Sequence, residues 1–153
     1  MYREGAAGVS EETGICQDKE GAVGTMKVIY TLKDINRYKN PVVAIGVFDG
    51  LHRGHRHILQ AMVAHAQGIK GTSIVLTFYP HPQAKESIYS LPHRLRLFEE
   101  FGIAVCIVVR FDLRFSRIQA GDFIERILVK KIKARFVYIG ENFRFGAKAK
   151  GDV

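Results

Sequence analysis

Two imidazoles, His52 and His55, stand one on each side of Arg53-Gly54 at the end of the segment Gly46-Val47-Phe48-Asp49-Gly50-Leu51-His52. The first turn of a helix carries unpaired N–H groups and partial positive charge, which suits a phosphate. Gly54 lets the backbone approach such an anion closely. His52 and His55 can each donate a hydrogen bond to its oxygens, and Asp49-Gly50 suits a tight turn between strand and helix. His52 and His55 are the candidates for catalysis, and Gly54 joins them as the candidate phosphate-binding set. Taken singly, either histidine reads as a surface residue at a helix start. The pair around a glycine, directly after a buried strand, favours the anion site. A metal site of His52, His55 and His57 is the other chemistry open to this segment, but no cysteine or carboxylate completes it locally. His57 is also expected to point away around the helix. His57, His65 and His93 are expected to be solvent-exposed helix residues.

Two later segments carry similar potential. In Thr77-Phe78-Tyr79-Pro80-His81-Pro82, two prolines stiffen a loop and aim the His81 imidazole, either as a ligand group or as part of a rigid surface turn. In Gly140-Glu141-Asn142-Phe143-Arg144-Phe145-Gly146, an amide and two flat apolar rings lie beside a glycine. Such rings pack a planar ligand or plug a core, and at least one of Phe143 and Phe145 is expected in the core. Arg144 and Lys148 read as phosphate contacts or as solvated charges.

The elements that must position these residues alternate. Val42 to Phe48 is a continuous apolar run, as in a parallel strand covered on both faces. A helix follows from about Gly54 to Ala66, with Ile58, Leu59, Met62, Val63 and Ala66 at helical spacing. Thr72 to Phe78 makes the next strand, and Pro80 and Pro82 bar its continuation. Leu91, Leu95, Phe98 and Phe101 line a second helix; Ile103 to Val109 is a third strand. Phe123, Ile124, Ile127, Leu128 and Ile132 line a third helix, and Phe136 to Ile139 a fourth strand. This order predicts an α/β fold, an open parallel sheet with helices on both faces, whose ligands gather beyond the carboxyl ends of the strands. All three motifs fall at such ends.

With 153 residues, the chain suffices for one domain. Hydrophobic residues at 47% and charged residues at 25% are ordinary for a globular protein. No apolar stretch approaches the ~20 residues of a bilayer span. The first 25 residues are polar, Gly-rich and partly acidic, unlike a secretory or transit peptide, and residues 1–26 read as a disordered leader or an early start. Met26 immediately precedes the first strand-like residues. Cys16 and Cys106 form no disulfide or metal framework; Cys106 reads as a buried small hydrophobe, and a reducing, cytoplasmic setting follows. The net charge of +8 fits a nucleic-acid footprint, a small polyanionic ligand, or a solvated basic face.

From Lys27 to Val153 the chain resembles a known family. Its His52-x-Gly54-His55 stretch is similar to the histidine-x-glycine-histidine signature of the nucleotidyltransferase superfamily. The fuller Gly46 to Leu59 segment resembles the FMN adenylyltransferase module of bacterial bifunctional riboflavin kinase/FAD synthetases. Thr77 to Pro82 and Gly140 to Gly146, followed by Lys150-Gly151-Asp152, resemble that family's two later loops. The resemblance implies a Rossmann-like nucleotidyltransferase fold and transfer of AMP from ATP to FMN, giving FAD and pyrophosphate. ATP would lie on Gly46, Val47, Phe48, Asp49, His52, Gly54 and His55, and Mg²⁺ would arrive bound to it. Phe78, Pro80, His81, Pro82, Asn142, Phe143, Phe145 and Gly146 would serve the flavin and its phosphate. The chain ends before the family's Ser/Thr-rich arginine segment and its riboflavin kinase domain. The domain at 27–153 is therefore expected to be C-terminally incomplete, with adenylyl transfer by this chain alone weak or absent. Two rivals are another superfamily member acting on a different phosphorylated metabolite, and a non-catalytic basic module that binds nucleic acid.

Overall fold

The apolar run that opens the sheet makes a shorter strand than its hydropathy predicts. In the computed structural model, which describes residues 24–35, 37–83 and 86–151, pairing stops at Ile45. Phe48 then takes a left-handed conformation, φ 54°, which no strand residue can hold. The strands are β1 (Lys27–Ile29), β2 (Val42–Ile45), β3 (Ser73–Tyr79), β4 (Val105–Arg110) and β5 (Phe136–Tyr138). They form one sheet in the order β1-β4-β3-β2-β5, every neighbouring pair parallel. β1 adds an edge strand to the four expected from the run beginning at Val42. The leader expected over residues 1–26 lies outside the described residues except for its last three. Met26 belongs to the fold instead, 7% exposed, its backbone N–H donating to Glu99 Oε1 at 3.1 Å.

Helices cover both faces, because alternate strand residues point to opposite sides. α1 (Arg53–Gly68) and α2 (Leu91–Glu100) pack on Val42, Ala44, Val75, Cys106 and Val108 through Leu59, Met62, Val63, Ala66 and Phe98. α3 begins as one α-helical turn, Ala120–Asp122, and continues as a π-helix, Phe123–Ile132. It covers Val43, Ile45, Ile74, Leu76, Val105 and Ile107. The wider i→i+5 winding brings Phe123, Ile127, Leu128 and Ile132 onto the core face. Ile124, expected on that face, is turned out and 43% exposed. The same winding sets Glu125 and Lys130, five residues apart, side by side at 2.6 Å. Cys106 is fully buried, and burial pushes its thiol up to about 12, so it is an inert hydrophobe. Among the described residues no helix is long and apolar enough to cross a membrane.

Chain order sets the position of the site. β2 leads through α1 to β3 on one side, whereas β5, reached through α3 on the opposite face, pairs with its other side. The loops leaving β2 and β5 therefore diverge over opposite faces, which opens a crevice at the carboxyl ends of these strands.

Candidate functional site

A cleft of about 1080 Å³ occupies that crevice. Its walls come from the loops after β2, β3, β4 and β5 and from the first turn of α1. Of the expected site residues it gathers Gly46, Val47, Phe48, Asp49, His52, Gly54, His55, Phe78, His81, Pro82, Asn142, Phe143, Phe145 and Gly146. Pro80, which is exposed, is the one expected site residue that does not line the cleft.

The β2–α1 corner is built around the two histidines. His52 caps α1, its Nδ1 accepting the His55 backbone N–H at 3.4 Å, while Arg56 Nε donates to the Leu51 carbonyl at 3.1 Å. An accepting Nδ1 places the His52 ring proton on Nε2, so the ring presents a donor. The His55 ring stacks on His52 with centroids 3.6 Å apart and planes inclined by 25°. Gly54 makes this possible, since a Cβ there would stand 3.2 Å from His52 Cε1. His55 Nδ1 is buried without a partner, and the ring packs edge-on to Phe48 at 5.3 Å. Burial, and secondarily the neighbouring His52, hold the His55 imidazole below its usual pKa, against the opposing pull of Asp49. With Nδ1 buried, Nε2 is the His55 ring nitrogen left to meet a ligand. Both imidazoles stand at a helix start, where the first N–H groups lack intrahelical acceptors.

Other expected residues act through the frame. Phe48 is only 2% exposed; its ring lies on Gly46, where a Cβ would meet Phe48 Cζ at 3.1 Å, so Phe48 offers a ligand its backbone alone. The Asp49 carboxylate accepts the N–H groups of Ile88 at 2.9 Å and Tyr89 at 3.0 Å. Burial by itself would raise the Asp49 carboxyl, but these two amides, with Arg94 and His81 nearby, outweigh it and hold it below the usual range. Asp49 thus ties the corner to the segment entering α2.

On the facing wall, His81 Nδ1 accepts the Gln83 N–H at 3.1 Å, which leaves the proton on Nε2 and fixes the ring as a donor. Phe78 is buried among Phe111 and Phe115 and gives the cleft an apolar floor. Neither Phe143 nor Phe145 is in the core, contrary to expectation. Both are half-buried and nearly parallel, centroids 5.8 Å apart at 17°, and rest on the core while facing the cleft. Gly146 (φ 75°) has no room for a Cβ, which would lie 2.6 Å from the Ala120 nitrogen. Phe145 and Gly151 exchange backbone hydrogen bonds of 3.0 and 2.9 Å and close the loop. Asp152, named with this motif, lies outside the described residues. Arg144 and Lys148 also line the cleft and bring positive charge to it.

The remaining histidines divide. His57 and His93 are exposed as expected. His65 is not: half-buried, its Nδ1 lies 2.8 Å from the Tyr138 hydroxyl and its ring packs on Phe136. Among the described residues no group of three or more His, Cys, Asp or Glu side chains is placed to hold a metal.

Sequence reasoning missed Arg94. It is fully buried, and its Nη1 donates to the Val47 carbonyl at 2.6 Å and to Thr77 Oγ1 at 3.2 Å. Its signal was present: Arg94 falls three residues after Leu91 and four before Phe98, within the apolar stripe of α2.

Residues 34–153 match the family model described as FAD synthetase. The bifunctional riboflavin kinase/FMN adenylyltransferase of Escherichia coli (strain K12) is 35% identical over 136 residues, covering 83% of this chain and 44% of that protein. The protein of the same name from Haemophilus influenzae is 31% identical over 135 residues, again covering 83% and 44%. The chain thus spans less than half the length of these curated relatives. A crystal structure of a macrolide-efflux protein from Streptococcus pneumoniae shares the fold, with a TM-score of 0.70 at 24% identity, covering 82% of this chain and 44% of that one.

Proposed function

This chain belongs to the FAD synthetase family, and we propose that its cleft binds ATP and FMN and transfers AMP from the first to the second. The observation that carries the proposal is the stacked His52–His55 pair at the start of α1, lining one cleft with His81 and the Phe143–Phe145 pair. The triphosphate lies at the α1 N-terminus, and the flavin lies toward the aromatic wall.

An oxygen of the FMN phosphate attacks the α-phosphorus of ATP in line. The bond from the α-phosphorus to the bridging oxygen breaks, and pyrophosphate leaves with those electrons. FMN phosphate is already ionised near neutral pH, so the protein need supply no base. Its work is to align the reactants and to meet the growing negative charge on the phosphates. His52 and His55 do so through their Nε2 protons, together with the α1 amides. Mg²⁺ would come bound to the triphosphate, since this ion prefers phosphate oxygens and water. Of the two carboxylates on the cleft, Asp49 is taken up by backbone amides, and Glu141 is the one left to it. The setting is cytoplasmic, the ligands are small molecules rather than nucleic acid, and a riboflavin kinase domain accompanies this one in the whole protein.

FAD formation by His52→Ala and His55→Ala variants is the test. Each is expected to lose about 10²–10³ in turnover, the cost of one well-placed donor. Near-normal turnover in both, or an unmodified protein that binds neither ATP nor FMN, would overturn the proposal.

A further inference from the structure

The corner that carries His52 and His55 does not hold its own shape. Phe48 has a left-handed backbone, a conformation that non-glycine residues keep only where their surroundings impose it. Three contacts from α2 and its approach surround that one residue. On one side Arg94 Nη1 donates to the Val47 carbonyl at 2.6 Å. On the other, Asp49 accepts the Ile88 and Tyr89 amides. Beneath, the Phe98 ring meets the Phe48 ring edge-on at 5.8 Å. The Val47 carbonyl also accepts Thr77 Oγ1 at 3.1 Å, which completes its two lone pairs after the chain has left the sheet.

Arg94 is an expensive choice for this place. Its Nε and Nη2 are buried without hydrogen-bond partners, and burial lowers its pKa. It has no exposed surface with which to touch a ligand. A core position on the α2 stripe would be better filled by leucine if packing were the only demand. The geometry points to Arg94 as a positioning residue for the nucleotide site, which with Asp49 braces the left-handed turn at Phe48 and so sets where His52 and His55 meet the triphosphate. That its ligand is ATP rests on the proposed function above.

The brace also fixes what should replace Arg94. Both of its hydrogen bonds leave from one nitrogen, Nη1, so a single ammonium group does the same work and removes the two orphaned donors. Arg94→Lys is therefore expected to retain function where Arg94→Met loses it. In Arg94→Met, kcat/KM for ATP should fall about 10²-fold, the scale of a small misplacement of reacting groups. Most of the loss should be in kcat, because displaced donors fail the transition state first. Amide exchange at residues 47–55 should quicken while β3 and β4 stay protected. Asp49→Ala cuts the brace from its accessible side, so it tests the idea should Arg94→Met fail to fold, and it should give the same local loosening and the same loss.

Wild-type exchange and kcat/KM in a folded Arg94→Met protein, or in Asp49→Ala, would overturn the inference, as would an Arg94→Lys protein no better than Arg94→Met. The two readings separate cleanly. If the unmodified protein binds ATP but not FMN, the proposed reaction fails, and the brace is judged by ATP affinity and exchange. If FAD forms normally in Arg94→Met, the brace fails and the reaction stands.

Discussion

Gly54 shows how much of the site rests on what a residue lacks. Its missing side chain is the space into which the His52 ring folds, 3.2 Å from where a Cβ would be. The clash in Gly54→Ala is with the end of a rotatable side chain, so the ring should swing away while the fold holds. Alanine also suits the first turn of a helix better than glycine. Gly54→Ala is therefore expected to lose about 10-fold to 10²-fold in turnover with thermal stability unchanged or slightly raised; a matched fall in both would refute the ring-displacement argument. His55 makes a pH prediction. Its pKa is lower folded than unfolded, so the unfolded chain binds more protons in the interval between the two values. Its contribution is fully present above the unfolded value of about 6.5 and is lost as pH falls below that. The urea midpoint should drop with acidification through this range, and His55→Asn, which cannot titrate, should flatten the drop. An equal drop in the variant would remove His55 from the account.

Among the elements, α3 and the loop after β5 act as one unit. The loop closes on itself through Phe145 and Gly151 and leans on the approach to α3, where the Ala147 N–H donates to the carbonyl of Ile118, two residues before the helix, at 2.7 Å. Gly146 and Gly151 both lie against Ala120, which leaves neither room for a side chain. The Phe145 ring in turn packs on Phe123, the first residue of the π-helical stretch. Gly146→Ala combines a positive φ with a contact to backbone that cannot yield. It is expected to cost about 1–3 kcal/mol of stability and to loosen the Phe143–Phe145 wall. Affinity for FMN, read by quenching of its fluorescence, should fall, while ATP affinity should change little because the β2–α1 corner is untouched. Unaltered FMN binding in a folded variant would detach this loop from the flavin.

For the molecule as a whole, the cleft is a consequence of strand order, with β2 between β3 and β5 and helices leaving over opposite faces. The sequence by itself determined the elements and the motif positions. Short apolar runs bounded by turn residues suit strands covered on both faces, and the stripes of α1 and α2 suit helices set against them. It also determined that the histidine pair, the Pro-His-Pro loop and the Gly-Glu-Asn-Phe-Arg-Phe-Gly loop lie at carboxyl ends of strands. It left open where β2 ends, because hydropathy does not report the left-handed turn at Phe48. It put Ile124 inside, because α periodicity fails in a π-helix. It treated His65 as a free surface group, because its partners Phe136 and Tyr138 are 71 and 73 residues away along the chain. It passed over Arg94, whose meaning depends on a carbonyl 47 residues earlier. Local periodicity and turn chemistry are written in short windows of sequence. Which buried charge holds which turn is decided only when distant segments are packed together.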